Sequence, residues 1–419
     1  MFALVDCNNF YASCQRAFEP HLRNKPVVIL SNNDGCVIAR SNEAKALGIP
    51  MGAPAFEYKQ LFEANQVFVY SSNYALYGDM SSRVMNILTR YTPEIEIYSI
   101  DEAFLKFKGF DLFDLQQIGL EMQRTVTKGT GIPVSIGFAP TKALAKVANK
   151  IAKKYPERTQ SVYFIDQEEK RIKALKWTKI ADVWGIGRKH AKRLQAKNVF
   201  NAYQFTLLSD EWVRKELSVV GLRLKHELEG KPTLDLEEPK SKKTIATTRS
   251  FEKAMTKQED LSERVATFTA SCSEKLRKQN SHCNMILVFV QTNYFRKDQP
   301  QYSRSIVINT DFPTNSTIEL NHYAQIGLKA IFREGYHYKK AGVVVMGLTP
   351  NNETQLSLFN SSNPKHQPLM GVIDKMNSSY GTNKVKFANQ SLGRQWKMKQ
   401  ENLSKCYTTR IDEIINIKL

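Results

Sequence analysis

The chain has 419 residues, 42% of them hydrophobic and 24% charged, a composition that excludes disordered and fibrous proteins. At this length we expect about three or four domains. Its 60 basic and 41 acidic residues give a net charge of +19, which favours a polyanionic partner. The sequence offers no run of roughly 20 apolar residues, no signal peptide and no CxxC pair, so we expect a cytoplasmic protein with reduced cysteines and no membrane contact.

The first 170 residues alternate between strand and helix patterns. Apolar runs bounded by turn residues predict strands, and capped stretches with helical spacing predict helices. The predicted strands cover residues 1–6, 25–30, 36–40, 94–100 with a return arm through Phe107, and 132–139. The predicted helices cover residues 10–18, 41–48, 71–91, 112–131 and 142–154. This alternation predicts an α/β domain with a smaller inserted piece near residues 20–75.

The rest of the chain divides into four regions. Residues 171–229 have helical patterns throughout, and KPTLDLEEPKSKK at 231–243 has the proline and charge of an exposed linker. Strand and helix patterns then return over about 105 residues, which predicts an independent α+β unit. Its strands are expected near 285–292, 305–310 and 339–348, and its helices near 259–280 and 322–333. Residues 351–419 are polar and predict a tail.

Three carboxylates stand where predicted strands end. EIEIYSI, residues 94–100, alternates polar and apolar side chains and runs into Asp101 and Glu102, while Asp6 closes the first strand. Alone, the Asp-Glu pair is more typical of an exposed acidic turn. If the first strand lies beside this hairpin, the three acids meet, and they cannot all stay ionised without a cation. Oxygen ligands of this kind favour Mg²⁺, and two such ions about 4 Å apart support phosphoryl transfer.

Basic side chains near these acids favour phosphate binding. Asn8, Asn9 and Phe10 form a turn whose N–H groups are suited to an anion, and Lys45 lies on the predicted helix 41–48. The segment KALAKVANKIAKK places four lysines on one helical face: Lys142, Lys146, Lys150 and Lys153. Such a stripe is often only a solvated surface. Its position directly after the strand 132–139 favours a functional role.

The helical region contains a pattern typical of a helix-hairpin-helix. VWGIGRKHAKRL, residues 183–194, has two glycines in an apolar setting followed by a basic amphipathic helix. Gly185 and Gly187 permit a tight hairpin whose N–H groups can hold a DNA phosphate without reading the base sequence. An ordinary packing hairpin is the alternative. The basic residues Arg188 and Lys189 favour nucleic-acid binding.

Together these segments resemble the Y-family translesion DNA polymerases, and more narrowly the UmuC type, which includes the catalytic subunit of bacterial DNA polymerase V and its plasmid-borne relatives. The resemblance rests on FALVDCNNFYASC, KPVVILSNNDGCVIARSNEAKALGI, SSNYALYGDMS, EIYSIDEAFL, TKALAKVANKIAKK and DVWGIGRKHAKRL, and it extends to YTTR at 407–410. It implies a multidomain α/β and α+β protein shaped like a right hand. The implied parts are a palm (1–19 and 76–170), small fingers (20–75), a helical thumb with the helix-hairpin-helix (171–230), a linker (231–243), an α+β little finger (244–350) and a C-terminal tail (351–419).

The resemblance also implies roles for individual residues. Asp6, Asp101 and Glu102, with the backbone carbonyl of Cys7, would bind two catalytic Mg²⁺ ions. Phe10 and Tyr11 would contact the nucleotide, with Tyr11 as the steric gate that excludes a ribose 2′-OH. The basic residues implied in triphosphate binding are Lys45 and Lys153. Many Y-family members have a tyrosine where this chain has Asn42, which leaves that contact open.

A last motif lies in the tail. Gln355, Leu356, Ser357, Leu358 and Phe359 form QLSLF, an apolar cluster in a polar stretch, which is typical of a peptide that binds an apolar pocket. It resembles the bacterial sliding-clamp-binding pentapeptide. Tethering to a clamp would raise the local concentration of the enzyme at a primer end.

The sequence thus predicts an error-prone, template-directed DNA polymerase that copies damaged DNA in the SOS response. Its expected partners are primer-template DNA, dNTPs, the sliding clamp, a processed UmuD-like dimer and RecA. One alternative is a catalytically inactive scaffold that binds DNA and the clamp, although a scaffold has no use for three clustered acids. Another is a metal-dependent nuclease, which would need neither Tyr11 nor the triphosphate lysines.

Overall fold

The structure, a computed structural model, describes residues 1–238, 240–353, 362–381, 383–390 and 398–415. It divides into two compact units. The first comprises Met1–Glu238 and Lys399–Leu419, and the second comprises Pro239–Met398. Within the described ranges, no helix combines the length and the apolar character needed to cross a bilayer.

The first unit is built from two sheets and the helices around them. Its strands are β1 (Phe2–Cys7), β2 (Val27–Leu30), β3 (Val37–Arg40), β4 (Phe68–Ser71), β5 (Ile95–Ile97), β6 (Glu102–Lys106), β7 (Val134–Ala139) and β8 (Val162–Phe164). Its α-helices are α1 (Phe10–Phe18), α2 (Asn42–Ala46), α3 (Lys59–Ala64), α4 (Tyr74–Leu88), α5 (Leu115–Thr130), α6 (Lys142–Lys154), α7 (Pro156–Thr159), α8 (Glu168–Trp177), α9 (Arg188–Gln195), α10 (Ala202–Thr206) and α11 (Asp210–Leu228).

The larger sheet has the strand order β5-β6-β1-β7-β8, with β1 antiparallel to both of its neighbours. Successive side chains of β1 point to opposite faces. Phe2 and Leu4 pack in the core beneath α6, whereas Ala3 and Val5 pack in the core beneath α1, α4 and α5. Asp6 therefore continues the row that faces α6.

Helix α6 lies unusually close to this sheet. A Cβ atom on Gly137 of β7 would lie 2.0 Å from the backbone nitrogen of Asn149, so only glycine allows the approach. The buried Asn149 side chain donates to the carbonyls of Leu4 (3.1 Å) and Ser135 (2.6 Å). These contacts fix how α6 sits over the sheet, and with it the positions of its lysines.

The smaller sheet has the order β3-β2-β4 and its own apolar core, which includes Val28, Leu30, Val37 and Phe62. It is the inserted piece that the sequence predicts near residues 20–75. The predicted helix 71–91 begins later than expected, because Ser71 still belongs to β4 and Asn73 caps α4.

The helices α8 to α11 form the region predicted as wholly helical. Two features interrupt the helical pattern. An isolated bridge joins Lys179 to Asn201, and Ser218 has a φ of 65°, which divides α11. Helical periodicity in the sequence cannot show either feature. The bridge depends on pairing between distant residues, and the break in α11 depends on the backbone angle of one residue.

The second unit is an α+β sandwich of two layers. It contains β9 (Ile245–Met255), α12 (Gln258–Lys278), β10 (Ser281–Thr292), β11 (Ser303–Thr314), α13 (Thr317–Ile331), β12 (Tyr338–Pro350) and α14 (His366–Tyr380). The antiparallel sheet has the order β11-β10-β12-β9, and α12 and α13 contribute Leu261 and Leu320 to the core that it shares with them. The sequence predicts the start of α13 five residues too late, at residue 322 instead of Thr317.

The predicted tail 351–419 is not a single segment in the structure. Helix α14 belongs to the second unit, where Arg277 donates two hydrogen bonds to Asp374 (2.6 and 2.7 Å). Residues 399–415, which we call the C-terminal strap, pack on the first unit. There Ser71 N–H donates to the carbonyl of Asn402 (2.9 Å), and Tyr407 stacks on Phe18 with ring centroids 5.0 Å apart.

The first half of the predicted linker 231–243 is also held in place. The carboxylate of Glu227 accepts from the N–H groups of Thr233 and Leu234, and Glu96 accepts from the N–H of Glu237 (2.8 Å). Residues 231–238 therefore run along the first unit, although their composition is typical of an exposed linker.

Candidate active site

The sheet brings two of the predicted acids directly opposite each other. Asp6 of β1 pairs with Glu102 of β6 in the antiparallel register. Residues that are paired in this way point to the same face, so both side chains lie on the face covered by α6. The sequence leaves open whether these strands are neighbours, and the structure supplies both their pairing and its register.

Asp101 lies at the bend that precedes β6. Its carbonyl accepts from the N–H of Cys7 (2.8 Å), and its carboxylate accepts from the Ser99 hydroxyl (2.6 Å). The charge of Asp101 contributes to the raised pKa values of both Asp6 and Tyr11, after the larger effect of burial on each. Asp101 therefore lies at the end of the sheet, beside the last residue of β1.

Two lysines of α6 neutralise the paired acids. Lys153 Nζ lies 2.6 Å from Asp6 Oδ1, and Lys146 Nζ lies 2.9 and 3.0 Å from the two oxygens of Glu102. With the acids engaged separately, the described residues contain no group of three carboxylate, imidazole or thiolate side chains in a metal-binding arrangement. Sequence reasoning places Lys146 on the correct helical face but does not identify it as a partner of Glu102.

The donor set nevertheless fits a divalent cation. Burial raises the pKa of Asp6, the neighbouring Lys153 ammonium lowers it, and the charges of Glu102 and Asp101 raise it further. The net direction of the pKa shift is upward, so Lys153 does not fully offset the cost of burying the Asp6 carboxylate among other acids. Additional positive charge next to hard oxygen ligands is what a cation such as Mg²⁺ supplies.

A basic cavity opens beside the acids. It has a volume of about 790 Å³, and its lining includes Asn8, Asn9, Lys45 and Lys153. Loss of hydration lowers the pKa of Lys45, and the positive charges of Lys153 and Arg40 lower it further. The cavity therefore concentrates positive charge that an anion would relieve.

Asn9 connects the two sheets across this cavity. It adopts the left-handed conformation (φ 50°) just before α1, which asparagine tolerates better than most residues. Its side chain donates to Asn42 Oδ1 (3.0 Å) and accepts from Lys45 Nζ (2.6 Å). Asn42, which stands where many Y-family members have tyrosine, thus helps to hold the asparagine that orients Lys45.

Tyr11 belongs to an aromatic cluster beside the acids. Its ring stacks on Tyr77 with centroids 4.3 Å apart and contacts Tyr74 edge-on at 6.3 Å, while Phe10 is buried next to it. Tyr77 is fully buried, and its hydroxyl accepts from Gln15 (2.9 Å). The sequence predicts Tyr11 as a site residue but gives no signal for its support by α4.

The predicted hairpin of the helical region is present. Gly185 has a φ of 85°, which favours glycine, and Gly187 precedes α9, which Arg188 begins. Arg188 and Lys189 are exposed, as phosphate contacts require. The indole of Trp184 donates to Tyr98 OH (3.1 Å), so the hairpin is anchored to the strand that leads to Asp101. The QLSLF motif at 355–359 lies outside the described residues.

Solved structures identify the fold. At 20% identity, a Y-family DNA polymerase chimera matches with a TM-score of 0.67, and the insertion ternary complex of Dbh DNA polymerase matches with a TM-score of 0.56. Each match covers 84% of this chain and 100% of the solved chain. The fold is therefore that of the Y-family DNA polymerases, with the palm, fingers and little finger that the sequence predicts.

Comparisons with known sequences identify the family to which this chain belongs. The impB/mucB/samB family matches residues 5–150, its C-terminal domain matches 242–358, and a domain of unknown function matches 367–417. The chain is 41% identical to protein UmuC of Salmonella typhimurium over 422 residues, covering 100% of both chains. It is 39% identical to protein ImpB of the same organism, covering 99% of each, and 24% identical to DNA polymerase IV 1 of Bacillus subtilis, covering 91% of each. The chain belongs to the UmuC family, and its fold is that of the Y-family DNA polymerases.

Proposed function

We propose that this protein is an error-prone, template-directed DNA polymerase that extends primers past damaged bases in the SOS response. The primer 3′-oxygen forms a bond to the α-phosphorus of a dNTP, and the bond from that phosphorus to the leaving pyrophosphate breaks. The observation that carries the proposal is the pairing of Asp6 with Glu102, together with the contact of Asp6 with Lys153, a lysine of the cavity lining. Acids beside a basic cavity suit a triphosphate that arrives with cations.

The acids would hold two Mg²⁺ ions. Asp6, Asp101, Glu102 and the Cys7 carbonyl are the proposed ligands. When bound, the ions stabilise the attacking and leaving oxygens of the in-line displacement. Lys153 and Lys146 compensate the charge of the acidic pair, since their ammonium groups lie within 3.0 Å of Asp6 and Glu102.

The triphosphate would occupy the basic cavity. Lys45 and Lys153 would bind its oxygens, and the turn formed by Asn8, Asn9 and Phe10 would direct backbone N–H groups toward it. Supporting this assignment, the lowered pKa of Lys45 reflects an ammonium that has lost hydration and lies close to other cations. An anion in the cavity would stabilise both lysines.

Tyr11 would act as the steric gate. Its ring is held against Tyr77, so the tyrosine cannot move aside without breaking a stacked contact. A ring fixed in this way would clash with a ribose 2′-OH, and Phe10 would support the sugar from the adjacent position. The hairpin residues Gly185, Gly187, Arg188 and Lys189 would hold a backbone phosphate of the duplex.

The remaining partners follow from family membership and motif. We expect QLSLF to bind the sliding clamp, and a processed UmuD-like dimer and RecA to activate the enzyme in the cytoplasm. Tethering by the clamp would compensate for weak DNA binding by the chain alone.

A primer-extension assay tests the proposal. With a primed template containing an abasic site, Mg²⁺, dNTPs and the accessory proteins, we expect extension past the lesion. Asp101→Ala should abolish extension, and Lys128→Ala, an exposed substitution on α5, serves as the control. Absence of extension by the wild-type protein under these conditions would refute the proposal.

A further inference from the structure

The C-terminal strap contacts the segment that joins the two sheets of the first unit. Ser71, Ser72 and Asn73 are all buried there. Asn402 N–H donates to Ser71 Oγ (3.1 Å), and the Gln400 side chain donates to the carbonyl of Ser72 (2.9 Å). The strap therefore covers this segment and supplies hydrogen-bond partners for its polar groups.

Asn73 is the central residue of this contact, because its side chain serves two elements at once. Its Oδ1 accepts from Leu76 N–H (3.2 Å) and so caps α4. Its Nδ2 donates to the Ser404 carbonyl and hydroxyl (both 3.1 Å) and to the Lys405 carbonyl (3.2 Å). The orientation of the cap at the start of α4 thus depends on the strap.

The first turn of α4 supports the proposed steric gate. Tyr74 follows Asn73 directly. Tyr77 lies three residues further along in the same first turn, and its ring stacks on that of Tyr11. A displacement at the start of α4 would move both supporting rings together, because they lie in the turn that Asn73 caps.

The strap is also anchored at the end of the helix that carries Tyr11. Tyr407 stacks on Phe18 of α1, and its hydroxyl donates to Glu19 Oε1 (3.2 Å). The other oxygen of Glu19 accepts from Tyr70 OH of β4 (2.7 Å). The strap therefore joins the end of α1 to the start of α4, the two helices whose rings form the aromatic cluster.

We infer that the strap contains positioning residues for sugar selection: it holds α1 and α4 in the arrangement that keeps Tyr11 stacked on Tyr77. This inference rests on the proposed gate role of Tyr11. Loosening the strap gives the Tyr11 ring room to move, and a ribose 2′-OH then fits. Residues far from the acids thereby control which nucleotide is accepted, without contacting it.

Asn73→Asp isolates the effect of the strap. Aspartate retains the oxygen that caps α4 but replaces the donor with a carboxylate oxygen that faces the Ser404 and Lys405 carbonyls. We expect the ratio of kcat/KM for dATP to that for ATP, measured by primer extension opposite thymine, to fall by about tenfold. Asn65→Asp, at an exposed position after α3, is the matched control and should leave the ratio unchanged.

Tyr407→Ala provides a second, independent test, with Tyr380→Ala on the exposed face of α14 as its control. It should lower the same ratio, and adding either strap substitution to Tyr11→Ala should produce no further loss beyond that of Tyr11→Ala alone, because the strap acts only through that ring. If Tyr11→Ala lowers the ratio and neither strap variant does, the inference is wrong while the gate stands. If Tyr11→Ala leaves the ratio unchanged, the gate and the inference fail together.

Discussion

The two ends of α6 carry lysines in opposite settings. At the amino end, Lys142 pairs with Glu96 (2.7 Å), and the two side chains are only 4% and 9% exposed. At the carboxyl end, Lys153 pairs with Asp6 (2.6 Å), and these side chains are 36% and 17% exposed. The bond lengths are alike, so distance does not distinguish the pairs. Burial distinguishes the two pairs. Lys142 and Glu96 stay paired because neither charge is accessible to water. Lys153 lines the cavity, where a bound anion can compete with Asp6 for its ammonium group.

The amino-end pair is also part of a larger polar network. Lys142 Nζ donates to the Asp235 carbonyl (3.3 Å), and Glu96 accepts from Glu237 N–H. The pair therefore fixes residues 231–238 against the sheet, which is a structural task. Of the lysines on this face of α6, Lys142 thus has a structural role, whereas Lys153 is placed where it can bind a ligand.

The largest expected effect tests the structural half of this comparison. Glu96→Ala leaves the Lys142 ammonium buried without its carboxylate, so the free energy of unfolding should fall by about 3–5 kcal/mol. Tryptophan fluorescence during urea unfolding measures it, since Trp177, Trp184 and Trp212 lie in the first unit. Glu96→Gln, which keeps an acceptor for Glu237 N–H, should lose less. Equal stability of wild type and Glu96→Ala would contradict the structural role.

The next effect tests the other end of the helix. Lys153→Ala should raise the KM for dNTP by about tenfold, equivalent to about 1.4 kcal/mol, with a smaller change in kcat, because the lysine is proposed to bind the triphosphate in ground and transition states alike. Steady-state primer extension provides both constants, and Lys128→Ala is again the control. A large loss of folding stability with an unchanged KM would show that Lys153 has a structural role and does not bind the triphosphate.

A smaller effect concerns the charge of Asp6. Its folded pKa lies above the unfolded value, so the folded state binds this proton more tightly, and stability falls as pH rises from the unfolded pKa through the folded one. In EDTA at neutral pH, Asp6→Asn should therefore be more stable than wild type, by up to about 1 kcal/mol.

The difference between Asp6→Asn and wild type should disappear at acidic pH, below both pKa values, where Asp6 is neutral in each state. Thermal melts across this pH range measure it. A variant that is less stable than wild type at neutral pH would show that the Lys153 contact outweighs the cost of burying the carboxylate.

The smallest effect is expected between the two ends. Lys150 pairs with Asp182 (2.8 Å), but both side chains are at least 40% exposed. Asp182→Ala should therefore change the free energy of unfolding by no more than about 0.5 kcal/mol. A loss comparable to that of Glu96→Ala would show that burial does not separate the pairs.

The lysines on one face of α6 show which features can be predicted from the sequence and which cannot. Spacing correctly predicts one helical face, but the partners come from elsewhere in the chain: Glu96, Glu102, Asp182 and Asp6. Lys142 is buried because Glu96 reaches it from β5, and no local pattern records that contact. The alternation of elements predicts the fold class, and the fold is confirmed by the solved Y-family structures.

The C-terminal strap marks the limit of such reasoning. Its attachment uses backbone groups of Asn402, Ser404 and Lys405, and a carbonyl is present in every residue type. No apolar block or charge pattern is required, so the polar composition predicts a tail where the structure has a docked segment. Tyr407, which stacks on Phe18, is a single aromatic whose partner cannot be identified from spacing.

The strap also has a consequence for synthesis of the protein. Asn402 and Ser71, which it joins, are 331 positions apart in the chain, and the residues of the second unit are translated between them. Because domains generally fold as the ribosome releases them, the first unit must wait with Asn73 uncovered until Ser404 and Lys405 emerge. A nascent chain that stops short of residue 399 lacks the segment that covers Asn73, so completion of the aromatic cluster must follow translation of the second unit.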